Sequence, residues 1–148
     1  MLRNWVWRFQ RITSSELRLL VEAQLTLLFC QLRKWWRPVG ELISVESRQE
    51  HRVVPRSELQ HAAQVAWAIT RAARYGVFRP KCLVRSLALQ KMLENRGLCG
   101  SELRIGVRLQ NGVFSAHAWV ELSGRVVGDS PQTVQQFTPT TDLRLVQL

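Results

Sequence analysis

Apolar residues recur along this 148-residue chain first at helical and then at strand spacing, and the period changes near residue 100. Thr13 and Glu16 form a capping-box pair, from which a helix is expected to run to about Trp36, stopped by Pro38 and Gly40. Leu17, Leu20, Val21, Leu27, Leu28, Leu32 and Trp35 mark one broad apolar stripe on it. Residues 40–55 lack periodicity and read as a charged connector. Ser57 opens a second helix, Glu58 to about Arg74, with Ala62, Val65, Ala66, Ile69 and Ala72 as a small-residue packing face. It ends near Tyr75-Gly76. A third helix begins at Pro80, suited to the first helical position, and ends at Asn95-Arg96-Gly97. Its Leu83, Leu87, Ala88, Leu89, Met92 and Leu93 cover so much of the circumference that it reads as central.

From Leu103 the period is two. Leu103, Ile105, Val107 and Leu109 alternate with Glu102, Arg104, Gly106 and Arg108. Asn111-Gly112 is a strong type I′ hairpin signal. It pairs Gln110 with Val113 and, counting back, sets Leu103, Ile105, Val107 and Leu109 opposite Val120, Ala118, Ala116 and Phe114. His117 falls on the other face opposite Gly106, where a glycine leaves room beside the imidazole.

The next turn has two readings. A two-residue Ser123-Gly124 loop pairs His117 with Ser130 and turns Asp129 to the opposite face. A three-residue loop, Leu122-Ser123-Gly124 with a bulge, faces His117 with Asp129, sets Glu121 against Arg125, and keeps Val126 and Gly128 on the apolar face. The second is preferred here for its charge pairing. The sheet is expected to be covered on both faces, by the first helices on one side and the third on the other. Pro131 ends the pairing, and Leu143, Leu145 and Val146 are able to add an edge strand.

This framework puts one Cys, one His and one Asp into an order that cysteine chemistry uses. Cys82 sits in the first turn of its helix, where unpaired N–H groups and the macrodipole favour a thiolate, among Arg79, Lys81 and Arg85. His117 is the candidate base and Asp129 the group that orients it. The plainer account of Cys82 is a small buried apolar residue. Three cysteines, Cys30, Cys82 and Cys99, make no secreted disulfide framework and suit a reducing cytoplasm. His51 and His61 have no second ligand at metal spacing, and no glycine-rich phosphate loop occurs, so neither a metal nor another cofactor is expected. A net charge of +10 predicts attraction to acidic partners. No nucleic-acid-binding motif accompanies it. The first helix carries Arg18, Glu22, Gln24 and Gln31, too polar for a membrane span, while Arg33-Lys34-Trp35-Trp36-Arg37 suits a membrane-surface anchor, a partner contact or a solvated helix end. Trp5 and Trp7, among Arg3, Arg8 and Arg11, are not followed by the apolar run of a signal peptide.

The run C-L-V-R-S-L-A-L-Q-K-M-L, then L-R-I-G-V-R, then A-H-A-W-V-E with G-R-V-V, resembles the transglutaminase-like core of the lasso-peptide leader peptidases over Val77 to Asp129. The resemblance implies an α+β, papain/transglutaminase-like cysteine peptidase core at 57–148, preceded by a helical lead and connector at 1–56. It implies that Cys82 is the nucleophile, His117 the base and Asp129 the orienting acid, acting on the leader peptide of a ribosomally made precursor. Arg85, Trp119 and Gly106 are the candidates for substrate contact. The chain departs from the family at Phe78-Arg79-Pro80-Lys81, leaving the second oxyanion donor unassigned beside the Cys82 N–H. The chain is short for both this core and a leader-recognition domain. A small recognition protein acting in trans is therefore expected, with an ATP-dependent cyclase downstream. Acyl transfer to an amine, or a basic binding module with an inert Cys, are the other functions these residues allow.

Overall fold

The computed structural model describes residues 12–36, 53–98 and 100–140. Three helices, α1 (Ser14–Trp36), α2 (Arg56–Tyr75) and α3 (Cys82–Glu94), precede strands β1 (Ser101–Gln110), β2 (Val113–Leu122) and β3 (Arg125–Val127), a short helix α4 (Pro131–Val134) and strand β4 (Thr138–Pro139). The strands form one antiparallel sheet in the order β3-β2-β1-β4. Residues 1–11, most of the connector, Cys99, and the proposed edge strand at Leu143, Leu145 and Val146 lie outside the described residues.

Each helix starts where backbone chemistry allows. At α1 the Thr13 N–H donates to Glu16 Oε2 at 2.8 Å and the Glu16 N–H to Thr13 Oγ1 at 3.3 Å, the reciprocal pair expected of a capping box. Helix α2 begins two residues before the expected Glu58, because extended Pro55 supplies the carbonyl for the Leu59 N–H at 3.2 Å. Helix α3 begins two residues after Pro80. A proline φ serves extended backbone as well as helix, and here Lys81 is the extended N-cap, so Cys82 is the first helical residue. At its end the Leu98 N–H reaches back to the Leu93 carbonyl (3.1 Å) and the Gly97 N–H to that of Glu94 (2.9 Å), a Schellman closure.

All three helices lie on one side of the sheet, which corrects the expectation of helices on both faces. Helix α3 packs on β1 and β2, while α1 and α2 pack on α3 and on each other. One core joins Leu27, Val65, Ile69, Val84, Leu89, Met92 and Leu93 to Val120, Leu122 and Val127. Within α1 the expected stripe divides. Ala23, Leu27 and Cys30 turn inward, whereas Leu17, Val21, Leu28, Leu32 and Trp35 are exposed.

The β1/β2 register is the expected one, from Gln110 opposite Val113 to Leu103 opposite Val120. The β2/β3 register is not. Leu122 faces Arg125 and Glu121 faces Val126, so the loop is Ser123-Gly124 alone, both at positive φ (48° and 79°). Burial accounts for this. Leu122 is fully buried and Val127 is 8% exposed on the face packed against α3. The bulged loop would have spent Leu122 in the turn, forfeiting about 2 kcal/mol of apolar burial, more than one cross-strand ion pair returns. The Glu121 carboxylate instead accepts from Trp119 Nε1 at 2.9 Å and Arg104 Nε at 3.3 Å.

Candidate active site

Cys82, His117 and Asp129 all line one small cavity, with Arg85, Ser86 and Leu89 of α3, Ala66, Ile69 and Thr70 of α2, Ala118 to Val120 of β2, and Gly128. The cavity wraps an edge. Strand β3 pairs only with Val120 to Leu122, so among the described residues β2 has a neighbour on just one side from Val113 to Trp119. Through that opening, space on the helix side of the sheet meets the side occupied by His117.

The His–Asp pair forms, but by a route other than strand register. Asp129 is not across the ladder from His117, because β3 ends at Val127. Gly128 then takes φ +78°, a conformation costly for any residue with a side chain, and the chain leaves the sheet. A Cβ on Gly128 would also sit 2.8 Å from Leu89 Cδ2 and 3.3 Å from Ala66 Cβ, so the turn is pressed against the core. The turn brings Asp129 Oδ2 to 2.5 Å from His117 Nε2, while Oδ1 accepts the Ser130 N–H at 2.9 Å. With both carboxylate oxygens engaged and Nε2–H donating to Oδ2, the other ring nitrogen, Nδ1, is the one left to accept a proton. The side chains are 18% and 24% exposed, so the pair is shielded without being sealed.

Cys82 is a free, half-buried thiol at the first position of α3. Its N–H, as that of the first helical residue, precedes the first intrahelical bond, which runs from the Arg85 N–H to the Lys81 carbonyl at 3.1 Å. No hydrogen bond joins Cys82 to His117 among the described residues. Their relative placement is set by Ser86, one turn along α3, whose buried hydroxyl donates to the Ala118 carbonyl at 2.9 Å. This bond ties the cysteine's helix to the residue beside His117.

The wall behind the imidazole is aromatic. Trp119 stacks at 6.2 Å between ring centroids and Phe137 lies tilted at 5.2 Å. Gly106 does not leave the open room expected of it. A Cβ there would meet Trp119 at 2.8 Å and Phe137 at 2.9 Å, so the glycine exists to let these two rings close on the strand. Trp119 is 2% exposed. Gly106 thus shapes the wall, whereas Trp119 and Arg85 both line the cavity, Arg85 with its Nε buried and without a partner. Sequence reasoning passed over Ser86 and Phe137, and gave Gly128 only a place on the apolar face of the strand, with no part in positioning Asp129. Ser86 and Gly128 left a trace, a polar residue on an otherwise apolar helix and a glycine directly before the acid; Phe137 left none. Among the described residues no three His, Cys, Asp or Glu side chains converge as a metal site would require.

Two comparisons bear on this arrangement. Residues 20–142 match the model of a transglutaminase-like superfamily. The chain is also 30% identical over 89 residues to the microcin J25-processing protein McjB of Escherichia coli, a match covering 60% of this chain and 41% of that protein. The chain therefore spans less than half of the curated relative it matches. No solved structure matches significantly. With most of its length under the family model, and an α+β fold of helices packed on an antiparallel sheet, the chain belongs to the transglutaminase-like superfamily.

Proposed function

We propose that this protein is a cysteine peptidase that removes the leader from a ribosomally made lasso-peptide precursor. The observation that carries the reading is the His117–Asp129 pair sharing a cavity with a half-exposed cysteine at the start of a helix. The name of the relative, a microcin-processing protein, supplies the substrate class. In this mechanism His117 Nδ1 takes the Cys82 proton and the thiolate attacks the scissile carbonyl. The developing oxyanion meets the Cys82 N–H and the positive end of α3. The imidazolium, stabilised by Asp129, gives its proton to the leaving amine as the C–N bond breaks. His117 then deprotonates a water that attacks the thioester, releasing the carboxylate and restoring the thiol. The enclosed space is only about 20 Å³, so a peptide lies across its mouth and only the reacting atoms enter. In this reading a second protein that binds the leader works with this one.

The test is mass spectrometry of a precursor incubated with the protein and its recognition partner. Cys82→Ala and His117→Ala should abolish cleavage, while Cys30→Ala leaves it intact. Asp129→Asn should retain more activity than either, because the imidazole keeps a hydrogen-bonding neighbour but loses the charge. The superfamily favours one further reading, acyl transfer to an amine. A product carrying a new amide in place of a free carboxylate would select it.

A further inference from the structure

Helix α1 is apolar on two opposite sides. One side, Ala23, Leu27 and Cys30, is in the core. The other presents Leu17, Val21, Leu25, Leu28, Phe29, Leu32, Trp35 and Trp36, with Leu25 62%, Trp35 72% and Trp36 85% exposed. Val21, Leu25, Leu28, Leu32 and Trp35 follow one another in steps of four and three residues, so the exposed side chains form one continuous stripe along the 23-residue helix. A contiguous apolar surface of this size marks a contact.

Charge at the border of the stripe indicates what it contacts. Arg18 lies near its beginning and Arg33 near its end, with the Arg33 guanidinium over the exposed Phe29 ring at 5.7 Å. The acid within the stripe's span, Glu22, is already neutralised by Arg96, whose two terminal nitrogens hold its two oxygens at 2.9 and 2.7 Å. The border is thus net cationic, on a chain of charge +10. Two tryptophans beside basic residues complete the composition of a helix that lies in a lipid–water interface. No described helix is long and apolar enough to cross a membrane, so α1 would lie in the plane of one. No α1 residue lines the Cys82 cavity, which would stay open.

We infer that the outer stripe of α1 docks the protein on an anionic lipid surface. The experiment is co-sedimentation of the full chain with vesicles of phosphatidylcholine alone or mixed with phosphatidylglycerol, at low and high salt, with tryptophan emission followed in parallel. The expected result is partition into the anionic vesicles with a blue shift, reversed by salt and small for the neutral ones. Leu25→Gln with Leu32→Gln, both at exposed positions, should weaken partition by about tenfold or more, and Arg18→Gln with Arg33→Gln by about tenfold, each with an unchanged melting temperature. Equal partition into both vesicle types, no partition, or indifference to the leucine pair would overturn the proposal. A concentration-dependent dimer abolished by the same leucine pair would assign the stripe to a second copy of the chain instead.

Discussion

At the scale of single residues, the position of the carboxylate depends on a glycine. Gly128 is the only residue type that takes φ +78° without strain while leaving Leu89 and Ala66 where they are. Gly128→Ala is expected to cost about 1–3 kcal/mol in stability, seen as a lowered melting temperature. It should also reduce cleavage by up to about a hundredfold at temperatures where the variant remains folded, because a displacement of the order of 1 Å at Asp129 spoils the orientation of the imidazole. The sequence made Cys82, His117 and Asp129 visible as candidates because each stands within a motif with a chemical reason. The means of joining the last two was hidden. It rests on a backbone torsion and on contacts with residues 39 and 62 positions earlier in the chain, neither of which a local pattern expresses.

At the scale of elements, boundaries written in local chemistry were legible and those decided by burial were not. Thr13 and Glu16 fix the start of α1, and Asn111-Gly112 fixes every pair between β1 and β2. The Ser123-Gly124 turn went the other way, since Ser123 accepts a positive φ so that Leu122 and Val127 can be buried. Between elements, the Arg96–Glu22 fork fastens the end of α3 to α1. Hydrogen bonding to the guanidinium holds the Glu22 carboxyl below the ordinary carboxylate range, against a smaller opposing effect of burial. A lowered folded-state value means that this contribution is present above the ordinary glutamate range and is lost as pH falls through the lowered one. Glu22 is 42% exposed and solvent screens the pair, so the contribution is about 0.5 kcal/mol. Glu22→Gln should therefore be less stable than the wild type near neutrality, and denaturant titrations should show the gap closing as pH falls below the ordinary glutamate range.

At the scale of the whole molecule, the layering separates two cysteines that look alike in the sequence. Cys30 lies in the core with 6% exposure, and burial pushes its thiol above the ordinary value. Cys82 stands half-open at the head of α3. A short pulse of iodoacetamide followed by peptide mapping should modify Cys82 first and leave Cys30 until the protein is unfolded. The order of layers itself could not be read from apolar periodicity, which tells which residues are buried but not which helix covers them. The brevity of β3 has one more consequence. Among the described residues the margin of β2 from Val113 to Trp119 has no occupant, and such a margin offers its carbonyls and amides to an extended chain, whatever letters that chain spells. Grip of that kind is indifferent to sequence, so under the proposed peptidase function discrimination between one peptide and another falls to contacts beyond the margin.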